Sequence, residues 1–170
     1  AFAIALEYDL AIIGVSDVHD LIDWDYKPHE GGHRPVTLVL AKDKSIAALK
    51  EGLFARRTVV WTRNTLMGRA PDLIPILQAS LSTSQLTYRP DTSVAIVTLS
   101  NNSDMNMQLR YTGAHSLLLG TDRITVPEHG EYELHVKRGK VVDTLDLPFV
   151  VENALTAPGQ NPSIVLSSQR

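Results

Sequence analysis

The sequence predicts two kinds of architecture in succession: an α/β segment that forms the end of a barrel, then an all-β, antiparallel, sandwich-like domain. Three observations carry this expectation. The apolar run at residues 10–16 stops abruptly at Asp17 and His19, as a strand buried on both faces does at its carboxyl end in parallel sheets and barrels. A helix-then-strand pattern follows over residues 43–62. Beyond residue 84 the apolar spacing changes from the helical period to strict alternation, and such a switch marks a second domain.

In order, residues 1–8 place Ala1, Ile4, Ala5 and Tyr8 on one helical face, the pattern of a helix packed on a sheet. The strand at 10–16 comes next. Residues 20–33 form a loop rich in acids, aromatics and imidazoles, and loops of this kind often carry function. Within it Asp20, Asp23 and Asp25 read either as added metal ligands or as a solvated acidic loop. His29 and His33 have helical spacing, which Pro28 and the Gly31-Gly32 pair oppose. Trp24 and Tyr26 read as an apolar wall over a substrate or as a cover for the barrel mouth.

Residues 36–41 predict a second buried strand and 43–57 a helix capped by Asp43 or Ser45, with Ile46, Leu49, Leu53 and Phe54 as its apolar stripe. Arg56 and Arg57 fall where positive charge complements the helix dipole, a structural role. Residues 58–62 predict a strand. The expected domain division is 1–66 for the barrel end, 67–83 for a linker, 84–157 for the β domain, and 158–170 for a tail or edge strand.

In the β region, strands are expected at 86–89, 94–100, 107–112, 117–119, 123–126, 131–137, 140–142 and 145–151. Short strands at this spacing suggest a sandwich or a partly open barrel. His115, His129 and His135 share no spacing and read as ordinary solvated or hydrogen-bonded histidines.

Composition narrows the function. The chain has 170 residues, a formal net charge of −3 and no cysteine. Without a concentrated basic patch, nucleic acid is not expected as a partner. Disulfides and thiolate metal sites are excluded. Glu7, Tyr8 and Asp9 interrupt the most apolar stretch, so no membrane span is expected. The start lacks the features of a signal peptide, which predicts a chain that begins inside a larger protein. Oligomeric state stays open.

Gly14-Val15-Ser16-Asp17-Val18-His19, followed by His33-Arg34-Pro35-Val36-Thr37-Leu38-Val39-Leu40-Ala41-Lys42-Asp43, resembles the end of the PHP (polymerase and histidinol phosphatase) metal-dependent phosphoesterases. The likeness is greatest to the Sb-PDE group of phosphodiesterases. Residues 36–62 also resemble that family's barrel-closing region. The resemblance implies a distorted TIM-like (β/α)7 barrel whose last strands and helices lie here, with a β-sandwich-like C-terminal domain after it. It covers only the family's last metal motif, and implies that the opening His-x-His and intermediate ligands lie upstream, in the remainder of the barrel.

Asp17 and His19 have donor types that suit a divalent ion, through oxygen and nitrogen; alternatively Asp17 caps a turn and His19 is a loop histidine. By resemblance the two hold ions of a di- or trinuclear cluster of zinc, manganese or iron. Arg34 could fork two hydrogen bonds to a phosphate ester or pair with a loop carboxylate. The expected function is therefore that of a fragment of a hydrolase, splitting a phosphodiester or phosphomonoester small molecule with metal-activated water and incomplete alone. The alternative is a non-catalytic β-rich binding or assembly module. The resemblance is compatible with a periplasmic or secreted home as well as a cytoplasmic one.

Overall fold

Three β-sheets and four short α-helices make up the chain. The computed structural model describes all 170 residues. They divide into two compact units, one of Ala1–Leu73 with Ala154–Gln160, the other of Ile74–Asn153 with Asn161–Arg170.

The first unit begins with α1 (Phe2–Glu7). Asp9, at φ +52°, closes it and binds Arg56 at 2.9 Å and Arg69 at 3.2 Å. Residues 10–19 form neither helix nor strand. After α2 (Ile22–Tyr26) come β1 (Val36–Val39), α3 (Ile46–Phe54), β2 (Thr58–Thr62) and β3 (Thr65–Gly68). Ser45 caps α3, its hydroxyl accepting from the Ala48 N–H at 3.1 Å. Gly52 lets α3 lie close to the sheet: a Cβ there would stand 2.8 Å from the Val39 side chain and 3.0 Å from the Leu40 carbonyl.

β1 and β2 pair antiparallel, Val36 opposite Trp61, and β2 turns directly into β3. A late pair, Ala154–Leu155, runs parallel to β3. The helix α4 (Ala70–Ser80) contains the boundary between the units.

This overturns the expected fold class. A barrel segment needs parallel strands joined by crossover helices, but α3 returns the chain to its starting point. The Leu40 N–H donates to the Arg57 carbonyl at 2.9 Å, and Arg57 Nε donates back to the Leu40 carbonyl at 3.0 Å. With Arg56 at φ +61°, β2 leaves beside the end of β1 and can only run against it. Nor is the run at 10–16 a strand buried on both faces. Ile12 is its one buried residue, because no strand of this chain pairs with it through the backbone.

The second unit carries β4 (Leu81–Thr83), β5 (Thr87–Tyr88), β6 (Val94–Asn101), β7 (Met107–Tyr111), β8 (Ser116–Leu117), β9 (Arg123–Val126), β10 (Glu131–Lys137) and β11 (Thr144–Val151). After the short β12 (Ala154–Leu155) of the first unit, β13 (Ser163–Gln169) completes it. One sheet has the order β4-β6-β10-β8, with β5 also on β6; the other has the order β13-β11-β7-β9. All their pairings are antiparallel.

Alternation sets the core, as expected where one face of a strand is buried. Ala95, Val97 and Leu99 of β6, Met107 and Leu109 of β7, and Leu145, Leu147, Phe149 and Val151 of β11 are all buried. Asn101 joins them with its polar groups satisfied. Its amide donates to the carbonyls of Met105, Val126 and Pro127, and its oxygen accepts from the Ser103 N–H and hydroxyl.

Several elements depart from expectation. Residues 140–142 form no strand; the Tyr88 hydroxyl holds Val142 instead, donating to its carbonyl and accepting from its N–H. The tail or edge strand expected at 158–170 is, by contrast, an edge strand, β13, paired with β11 over seven positions. Residues 67–83 hold α4 and β4.

Candidate functional site

The expected site residues gather where residues 10–19 pass the sheet of the first unit. Two threonines position that stretch. The Thr58 hydroxyl accepts from the Ile12 N–H at 3.2 Å, while the Thr37 hydroxyl accepts from the Gly14 N–H and donates to the Gly14 carbonyl, each at 3.0 Å. Gly14 lies so close to Val60 that a Cβ would collide with its side chain. The Tyr26 hydroxyl donates to the Ser16 carbonyl at 3.0 Å and ties the acidic loop to the same stretch.

Asp17 sits at φ +53°, a left-handed conformation that Asp tolerates better than most side chains. Its carboxylate is 3.8 Å from His19 Nε2, and the two side chains are 92% and 87% exposed. Arg34 lines a polar groove of about 390 Å³ with Gly14, Val15, Ser16 and Thr37. Its guanidinium forms none of the salt bridges of this chain.

Other candidates go elsewhere. His33 packs its ring, tilted by 46°, against Trp61 with centroids 4.2 Å apart, and its ring nitrogens face the carbonyls of Arg34 at 2.8 Å and Arg63 at 3.2 Å. His29 lies 3.7 Å from Glu30. Asp23 and Asp25 fall in the first turn of α2. Trp24 is exposed. In the second unit His115 meets Arg138, His129 meets Asp104 and His135 meets Glu133.

A divalent metal in protein sites takes about four or more ligands, and no group of three or more His, Asp or Glu residues comes together in this chain. Asp17 and His19 have suitable donor chemistry but are too few to hold an ion by themselves, so the residues of this chain do not complete a metal site alone. The threonine anchors Thr37 and Thr58 escaped sequence reasoning, since Thr within an apolar run reads as a strand former.

Residues 81–167 match the DUF5001 family, described as an Ig-like domain. The chain belongs to this Ig-like domain family. The matched stretch runs from β4 into β13 and leaves Asp17, His19 and Arg34 outside it.

A solved structure extends the likeness to both units. It is a two-domain protein from Bacteroides vulgatus containing a predicted PHP-like metal-dependent phosphoesterase, 27% identical, with a TM-score of 0.86. The likeness covers 98% of this Ig-like family member and 48% of that protein, so the chain spans about half its length. No curated protein matches.

Proposed function

We propose that this chain is the accessory half of a PHP-like, metal-dependent phosphoesterase, inactive by itself, and that its first unit lends side chains to the active site. The supporting observation is that the likeness to the two-domain protein covers 98% of the chain, well beyond the Ig-like stretch. Asp17 and His19 provide one oxygen and one nitrogen donor to a divalent ion whose other ligands come from elsewhere. Arg34, exposed and free of ion pairs, supplies a cation for a phosphate ester in the groove beside them. The substrate class is a small phosphate ester.

The experiment is metal content by mass spectrometry on the full-length polypeptide, its Asp17→Ala and His19→Ala variants, and the 170-residue chain, all prepared identically. Bound metal in the full-length protein is expected, with loss of phosphoesterase activity and at least part of the metal in both variants and almost none on the 170-residue chain. Unchanged metal and turnover in both variants would falsify the assignment.

A second reading applies to the Ig-like unit, a non-catalytic assembly module. Its sheets bury their apolar residues in their own core, and its histidines are engaged with Arg138, Asp104 and Glu133.

A further inference from the structure

One end of the Ig-like unit holds a cation that no acid of the chain neutralises. The β8–β10 pairing sets Lys137 opposite Ser116, and one step further along Arg138 meets His115, its Nη1 donating to the imidazole Nε2 at 3.0 Å. Both residues are half-buried, and Arg138 Nε is buried with no hydrogen-bond partner. A guanidinium presents several N–H donors in a planar fork, yet the imidazole is the one partner this fork finds in the chain. A half-buried charge without a counter-ion is costly, and such groups cluster at functional sites.

The surroundings add positive charge rather than remove it. Lys137 and Lys140 flank Arg138 where β10 ends, and both are exposed. None of the three enters a salt bridge. By contrast, Arg110 and Arg123 of the same unit share Glu152. Glu133 is taken by His135, and Asp143 forms no ion pair. Tyr111 of the other sheet reaches the same cluster: burial pushes its hydroxyl above the ordinary range, while the His115 backbone and the Arg138 charge pull it down. The tip is open to approach. Gly139 takes φ +82°, and nothing stands within 4 Å of where its Cβ would lie.

We propose that Arg138, Lys137, Lys140 and His115 form a binding site for a phosphate group. Three cations stand within four residues, one of them a planar fork, and this suits an anion with several oxygens and more than one charge; a lone carboxylate occupies the fork and leaves the lysines unused. The phosphate enters over Gly139, takes guanidinium donors that His115 leaves free, and is flanked by the two ammonium groups. Two sources share this chemistry, a free phosphate or phosphate ester and the headgroup of an anionic phospholipid. The site lies in the Ig-like unit and does not depend on the reading under Proposed function.

Titration of the 170-residue chain with inorganic phosphate at constant ionic strength, read by residue-resolved NMR shifts of the amides and of Arg138 Nε–H, tests this. Saturable shifts are expected at residues 115–116 and 137–141. Arg138→Gln removes charge-assisted bonds and is expected to weaken binding at least about tenfold, and Lys140→Gln, on the exposed tip, about threefold. Should Arg138→Gln disturb the core amides of Leu147 and Phe149, Lys140→Gln carries the test alone. Sedimentation with phosphatidylglycerol-containing vesicles separates the sources. Vesicle binding that the same variants weaken assigns a lipid headgroup, and saturation by phosphate without vesicle binding assigns a free phosphate or its ester. No saturable shift at 137–141 together with no vesicle binding overturns the proposal. Equal shifts with acetate, or phosphate binding unchanged in the variants, also overturn it.

Discussion

At the scale of single residues, the surroundings of each side chain decide its role more than its type does. Asp72 shows this. It sits in the first turn of α4, yet it is buried, and burial pushes its carboxyl above the ordinary range although the Arg69 and Arg57 charges pull the other way. The folded chain therefore holds this proton to a higher pH than the unfolded chain does. The stability it contributes is fully present below the unfolded value and is lost as pH rises through the folded one. Asp72→Asn is expected to leave urea stability unchanged at acid pH and raise it at pH 7. A less stable variant at pH 7 would show that the arginines outweigh burial.

The histidines carry the same lesson. His33 and His29 have equal standing by spacing, but His33 packs against Trp61 and faces two backbone carbonyls, contacts that need a folded sheet.

At the scale of elements, local signals are read well where the element depends on its own residues. The helix expected at 43–57 forms as α3, and the Ser45 cap expected for it is made. The Ser45 N–H also donates to Asp43, whose carboxyl is held below the usual range first by the Ser45 side chain and then by this N–H. Removing a serine cap costs about 1 kcal/mol. Ser45→Ala is expected to lower urea stability by that amount, and Ser45→Asp to retain most of it. An Ala variant as stable as the parent would mean the cap adds nothing beyond water. Elements that depend on distant partners are harder. β3 follows β2 with only Arg63 and Asn64 between them, and no glycine marks the turn, Arg63 taking φ +50° itself. Residues 10–16 have the apolar content of a strand, but a strand is defined by its neighbours, and this chain supplies only threonine hydroxyls.

At the scale of the whole molecule, the Ig-like unit holds its own core between two antiparallel sheets. Phe149, fully buried in β11, packs its ring against Tyr111 at 5.7 Å. Truncating a buried Phe costs about 3–5 kcal/mol. Phe149→Ala is expected to lose that much in urea melts followed by β-sheet circular dichroism, and a loss under 1 kcal/mol would mean the site collapses around the vacancy. The first unit is built differently: its helices and its 10–15 stretch leave large apolar side chains in water.

The sequence by itself determined the β alternation of residues 94–151, the helix at α3 and the presence of an acid and an imidazole after an apolar run. These follow from periods and caps that act over a few residues. Only the tertiary structure decided that β1 and β2 run antiparallel, that no barrel segment forms, and that Asp17 and His19 are a solvent-facing pair without a third ligand. The physical reason is that strand direction and metal coordination depend on groups far apart in sequence. Here they hinge on where the chain returns after α3 and on which side chains the fold brings near residue 17.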